Sequence, residues 1–233
     1  MLNKVERSTT MTTRVVESLI NFIWTSNLRP GDSLPSAEKL QETLGVSRPV
    51  IREALKILEG RNIVEAINGK GTILRDTDQT ALADFFCHAV QIRPKSMLEL
   101  MEVRRAIEVE SVALAAQRRT DQQALAIQAT VQEMERNITN VAHYATLDMR
   151  LHLQIAEASQ NGMFFFLVDS LREALEKSVI EGMRQRRTEE AIARVQEVHK
   201  LLADAVAAKD SARAAATMSA HFDEAIAALS QAS

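Results

Sequence analysis

The 233-residue sequence predicts a mainly α-helical protein in two parts: three helices with a hairpin, then an all-α bundle of about six helices. Three observations carry that fold class. Glycine and proline are scarce, at 7 and 4 residues, so little interrupts long helices. Apolar stripes of helical period recur along the chain, while strand-like runs are confined to residues 63–74. Beyond Lys95 there is no convincing strand and no fixed-period repeat of the solenoid kind.

Composition narrows the class. Hydrophobic residues at 46% and charged residues at 25% are ordinary for a globular chain and exclude a disordered one. Cys87 is the single cysteine, so no internal disulfide forms, and a reducing cytoplasm is expected. No apolar run approaches membrane-spanning length, and Met1 to Arg7 lacks a signal-peptide core. Residues 1–75 carry 11 Lys and Arg against 8 Asp and Glu, a net +3, whereas the remainder carries 17 against 23, a net −6. Any polyanionic partner is therefore expected at the N-terminal end.

The first helix is read from the stripe Val15, Val16, Leu19, Ile20, Ile23 and Trp24, which ends before the turn Pro30-Gly31-Asp32. Ser36 is an N-cap for a short second helix reaching about Leu44, with Gly45 at its left-handed C-terminal position. Ser47 then caps a third helix, whose early Pro49 sits where no amide donor is needed. This helix has a core face of Val50, Ile51, Ala54, Leu55 and Leu58, and a cationic ridge of Arg48, Arg52 and Lys56. Ile63 to Ile67 and Thr72 to Leu74 flank Asn68-Gly69-Lys70-Gly71 as a hairpin. Three helices and a hairpin make a winged helix-turn-helix, with Lys70 at a wing tip able to reach phosphate.

Arg75 to Thr80 is polar and without period, and marks the boundary. The expected division is a winged helix-turn-helix over 1–76, a connecting segment with a helix near 81–90 over 77–96, and a helical domain over 97–233. Pro94 interrupts the chain before the long helices. Breaks near Thr120-Asp121, 137–140, Asn161-Gly162, Thr188 and Asp210-Ser211 delimit them.

Polar residues on the apolar faces of these helices are the functional signal. Asp148 and His152 are one turn apart and share a face, flanked by Leu147, Leu151 and Ile155. His199 lies at the centre of Ile192, Val195, Leu202 and Val206, and His221 among Ala214, Met218, Ala225 and Ala228. Arg104 falls inside the Leu100, Ile107, Ser111, Leu114 face, while Arg105 points away. Burying such groups costs several kcal/mol unless they are paired or bind a metal.

The run Leu34-Pro35-Ser36, Leu40, Leu44-Gly45-Val46-Ser47-Arg48-Pro49-Val50-Ile51-Arg52-Glu53-Ala54-Leu55, Leu58 and Gly69-Lys70-Gly71-Thr72 closely resembles the DNA-binding domain of the GntR family of bacterial transcription regulators. The resemblance spans about residues 10–75. It implies that Ser47, Arg48, Val50 and Arg52 contact operator DNA, with Gly69 and Lys70 at the wing. It departs at Ala37-Glu38-Lys39, where Glu38 stands in place of the family's DNA-contacting arginine, and at Asn62, which replaces a turn glycine. Leu100 to Glu108 followed by Leu114-Ala115-Ala116 looks like the opening helix of the FCD domain of the FadR-type subfamily. The metal-binding branch of that domain carries Asp-x3-His and two later histidines, a pattern that Asp148, His152, His199 and His221 match. The resemblance also assigns ligand contact to Arg104 and, through a Ser159-Gln160-Asn161 turn, to Asn161.

The resemblance thus implies a homodimeric, cytoplasmic, non-enzymatic regulator of double-stranded DNA at a pseudo-palindromic operator, expected to be a repressor. Its cofactor would be a divalent ion, zinc first, with nickel, manganese or iron as alternatives. Its effector would be a small hydroxy- or sugar-acid carboxylate bridging the ion and Arg104. Two other readings stand beside it. One is a purely structural metal with no effector. The other is a metal-dependent enzyme fused to a DNA-binding head, with Glu157 or Glu108 as the base.

Overall fold

The computed structural model describes residues 10–76, 78–93, 96–185 and 189–230, without the side chains of 96, 177–179, 181–185, 189 and 191. The expected interruptions at Pro94 and Thr188 lie outside the described residues. The chain divides into two compact units, Met1–Asp78 and Gln79–Ser233.

In the first unit, α1 (Met11–Thr25) starts where the Thr10 hydroxyl accepts from the Thr13 amide. Its buried stripe is Val15, Val16, Leu19 and Ile23. Trp24, expected in that stripe, is 76% exposed. At 100° per residue it lies roughly 125° from the stripe's centre, too far round to reach the core. Helix α2 (Ala37–Leu44) is capped by Ser36, which accepts from the Lys39 amide, and closes at Gly45 with φ 64°. Helix α3 (Arg48–Gly60) packs on α1 and α2 through Ile51, Ala54 and Leu58. Ser47 occupies its N-cap position, but its hydroxyl makes no capping bond. Pro at the helix start has removed one amide donor from that first turn, which lessens the need for a side-chain cap.

Strands β1 (Val64–Ile67) and β2 (Gly71–Leu74) pair antiparallel, Val64 opposite Leu74. The stretch after Pro30 adds an edge to the hairpin. Gly31 donates to the Leu74 carbonyl, Leu74 to that of Asp32, and Leu34 to that of Thr72. Asn62 adopts φ 56°, the left-handed conformation that asparagine tolerates better than most residues.

The second unit is all helical among the described residues: α4 (Thr80–Ile92), α5 (Ser96–Arg118), α6 (Asp121–Arg136), α7 (Val141–Ala158), α8 (Gly162–Gln185), α9 (Glu189–Ala207) and α10 (Ser211–Ser230). Helix α4 packs along α8, α5 along α10, and α7 between α6 and α8, with α9 joining α6 and α10. Helix α6 begins with a capping box in which Thr120 and Gln123 satisfy each other's backbone amides. The α7–α8 turn places Gln160 at φ 55°, a left-handed conformation that favours glycine. Leu147, Leu151, Ile155, Leu171, Leu175, Leu202, Val206, Met218 and Phe222 form the centre of the core. None of the described helices is long and apolar enough to cross a membrane.

Candidate metal centre

Four helices of the bundle turn polar side chains into its apolar interior. Helix α7 is buried along most of its length, so Asp148 and His152, one turn apart, both face the core, at 5% and 0% exposure. Helix α9 contributes His199, also fully buried, and α10 contributes His221, which is half-buried. Asp148 Oδ1 lies 3.2 Å from His199 Nε2, and Oδ2 lies 3.9 Å from His152 Nε2. The His221 ring centre is 4.8 Å from that of His199 and 5.2 Å from that of His152. One donor atom from each of Asp148, His152, His199 and His221 falls within 4.8 Å of the others.

Two features fit this set to a divalent ion. Nε2 of His152 and Nε2 of His199 are buried without a hydrogen-bond partner, although an imidazole nitrogen deep in a core is normally satisfied. Three imidazoles with one carboxylate are also the borderline donor set that zinc and its neighbours prefer.

The partners behind these donors are not legible as a motif. Glu108, one turn beyond Arg104 on α5, is 1% exposed, and its two oxygens hold Arg104 Nε and His152 Nδ1. Arg104 is itself 2% exposed, with its guanidinium 5.2 Å from the centre of the Phe222 ring and Nη2 unpartnered. Tyr144 stands behind His199, with its hydroxyl 3.0 Å from Nδ1. The same hydroxyl donates to Gln196 Oε1, and Gln196 Nε2 donates to the Val131 carbonyl. Sequence reasoning weighs Glu108 only as a candidate base and passes over Tyr144, Gln196 and Phe222. The available signal for Glu108 was its i, i+4 spacing from an inward arginine.

The electrostatics follow from burial in company. Burial raises the Asp148 carboxyl, but the approach of His199 at 3.2 Å and the positive charge that His152, His199 and His221 carry when protonated outweigh it, so it sits far below the usual carboxylate range. Burial also opposes ionisation of Glu108, yet Arg104 and His152 together bring its carboxyl below 4.5. His221 is driven well below 6.5 by burial, then by His199 and His152, with Asp148 pulling the other way. A neutral imidazole beside an ionised carboxylate is the state in which both are ligands.

Asn161 lies at the α7–α8 turn, where its side-chain oxygen accepts from the Met163 amide. No hydrogen bond or ion pair among the described residues joins it to the cluster. In the first unit, Ser47, Arg48 and Arg52 are exposed on the first turns of α3, Val50 is half-buried beside them, and Gly69 and Lys70 are exposed at the hairpin tip. Arg48 pairs across to Glu38 on α2 at 3.5 Å, both side chains being more than 60% exposed.

Comparison with known proteins gives both units a context. The profile of the bacterial regulatory proteins of the gntR family matches residues 11–74, and that of the FCD domain matches 99–224. The HTH-type transcriptional regulator LutR of Bacillus subtilis (strain 168) is 31% identical, over 86% of this chain and 93% of its own. The Glc operon transcriptional activator of Escherichia coli (strain K12) is 32% identical, over 72% of this chain and 68% of its own. A second protein of that strain, provisionally named as the L-lactate dehydrogenase operon regulatory protein, is 30% identical over 84% and 77%. Among solved structures, Streptococcus agalactiae GntR shares the fold with TM-score 0.69 at 22% identity, over 93% of this chain and 99% of its own.

Proposed function

The chain belongs to the gntR family of bacterial regulatory proteins and carries an FCD domain, and on that premise we propose a DNA-binding regulator controlled by a small organic acid bound at a divalent ion in the helical unit. That it is a DNA-binding transcriptional regulator, and not an enzyme, follows from the family. The metal, the acid, the homodimer and the repressor sense of control are our reading. The observation that carries it is the convergence of Asp148, His152, His199 and His221 inside the bundle, with two ring nitrogens left without hydrogen-bond partners.

A bound ion would supply positive charge and a coordination position open to an anion. This chain's own residues hold the rest of the site. Asp148, His152, His199 and His221 are the ligands, and Arg104, with Nη2 unpartnered, offers a carboxylate a charge-assisted hydrogen bond. Asn161 is kept as a candidate effector contact by resemblance alone. A relative whose name ties it to an L-lactate dehydrogenase operon makes hydroxy acids the first class to test. In the head, Ser47, Arg48, Val50 and Arg52 would meet base edges and phosphates in the major groove, with Gly69 and Lys70 meeting the backbone from the wing.

An effector regulates only by preferring one arrangement of the DNA-binding heads, and typical couplings of about 1–3 kcal/mol change affinity roughly 5–150-fold. The test is a DNA titration of zinc-loaded protein, with duplexes the protein has itself selected from random sequence, in the presence of lactate and other hydroxy acids. A shift of that size for one acid, lost in His199→Ala, is expected. Unchanged affinity with every acid contradicts the reading and leaves a structural metal as the account.

A further inference from the structure

We propose that Glu108, Tyr144 and Gln196 are positioning residues that fix His152 and His199 in the Nδ1–H tautomer, so that both present an Nε2 lone pair to the site. The inference deepens the metal reading and rests on it for its purpose, while its hydrogen-bond logic stands alone.

The direction of each chain is set by a group that can only accept. Behind His199, the terminal group is the Val131 backbone carbonyl. It has no proton, so the Gln196 amide must turn its nitrogen toward it at 2.9 Å, and this fixes Oε1 on the other side. Oε1 also only accepts, so the single phenolic hydrogen of Tyr144 is committed to it at 3.0 Å. What the Tyr144 oxygen then has for the ring nitrogen 3.0 Å away is a lone pair, and His199 Nδ1 must carry the proton. Behind His152, the ionised Glu108 carboxylate is likewise acceptor-only, already receives Arg104 Nε, and requires a proton on His152 Nδ1. Both chains leave Nε2 pointing inward, where neither makes a hydrogen bond and each faces a carboxylate oxygen of Asp148, His199 at 3.2 Å and His152 at 3.9 Å. His221 makes no hydrogen bond among the described residues, so its ring is not fixed in this way. Such partners typically change metal affinity 10–100-fold when removed.

The test uses the full chain with labelled histidine, stripped of metal by a chelator. Long-range proton–nitrogen spectra report the tautomer of each ring without any metal. The wild type should show Nδ1–H for His152 and His199. Tyr144→Phe removes one hydroxyl and should let His199 populate Nε2–H, with a loss of zinc affinity of roughly 10–100-fold. Gln196→Met should act similarly by freeing the phenolic hydrogen, while His152 keeps Nδ1–H in both variants. A wild-type His199 or His152 without a proton on Nδ1 overturns the proposal, as does Tyr144→Phe with wild-type tautomer and zinc affinity. Locked tautomers in a protein that takes up no zinc would support the positioning assignment while removing the metal reading.

Discussion

The two units solve the problem of charge in opposite ways. Every fully buried polar or charged side chain among the described residues belongs to the bundle: Arg104, Glu108, Asp148, His152, His199, Gln196 and a few hydroxyls. The core of the head is aliphatic, built from Val15, Val16, Leu19, Ile23, Leu34, Leu40, Ile51, Ala54, Leu58 and Val64, and its charges line the outside. A head with an apolar core can present Arg48 and Arg52 as solvated groups that cost nothing to keep. The bundle must compensate each buried charge with a partner. The comparison teaches where the proposed function would sit in each: on the surface of the head and in the interior of the bundle.

Removing the same kind of charge from each unit is the sharpest way to break that contrast. Glu108→Ala leaves Arg104 buried and unpaired and should destabilise the bundle by about 3–5 kcal/mol. Glu38→Ala, at an exposed ion pair, should change stability by no more than about 0.5 kcal/mol. Denaturant unfolding of both variants measures the difference, and equal effects would dissolve the distinction. Next in size, zinc at about 100 times its dissociation constant should stabilise the bundle by about 2.7 kcal/mol, and hydrogen exchange should localise the protection there rather than in the head. His199→Ala should abolish that protection.

Much of this contrast is readable in the sequence because periodicity reports faces. The apolar stripes delimit α1 and α3, Gly45 marks a left-handed helix end, and the inward placement of Arg104, Asp148, His152 and His199 follows from counting turns. Periodicity does not report which faces meet. Glu108 joins Arg104 to His152 across two helices, and Tyr144, Gln196 and Val131 line up from three, so their roles arise only from packing. Trp24 shows the same limit locally. Apolarity alone puts it in the stripe, while its rotation about the helix axis puts it in solvent.

Smaller effects sharpen the head's side of the comparison. Arg52→Ala should weaken DNA binding by about 1–3 kcal/mol without moving the unfolding transition, if the exposed Arg52 is the contact proposed for it. Glu38→Arg should strengthen DNA binding and steepen its salt dependence, since it removes the acid beside Arg48 and adds a cation.

On the bundle's side, pH offers the mildest perturbation. His221, Glu108 and Asp148 all have folded-state values below their ordinary 6.5, 4.5 and 3.8. The unfolded chain therefore binds protons first, and metal-free stability is full above these values and lost as pH falls below them. The slope approaches about 1.4 kcal/mol per pH unit for each proton taken up. Urea midpoints followed from pH 7.5 to 4 would show a decline beginning below about 6.5. A flat profile would contradict the assigned ionisation states.

The most direct measurement is a zinc competition titration with a chromophoric chelator on the full wild-type chain and on His199→Ala. A four-ligand site predicts one tightly held ion per chain in the wild type. In the variant it predicts a loss larger than the roughly 10–100-fold expected for a supporting hydrogen bond. No uptake by the wild type, or equal affinity in the two proteins, would contradict the claim that these inward-facing charges exist to hold a metal.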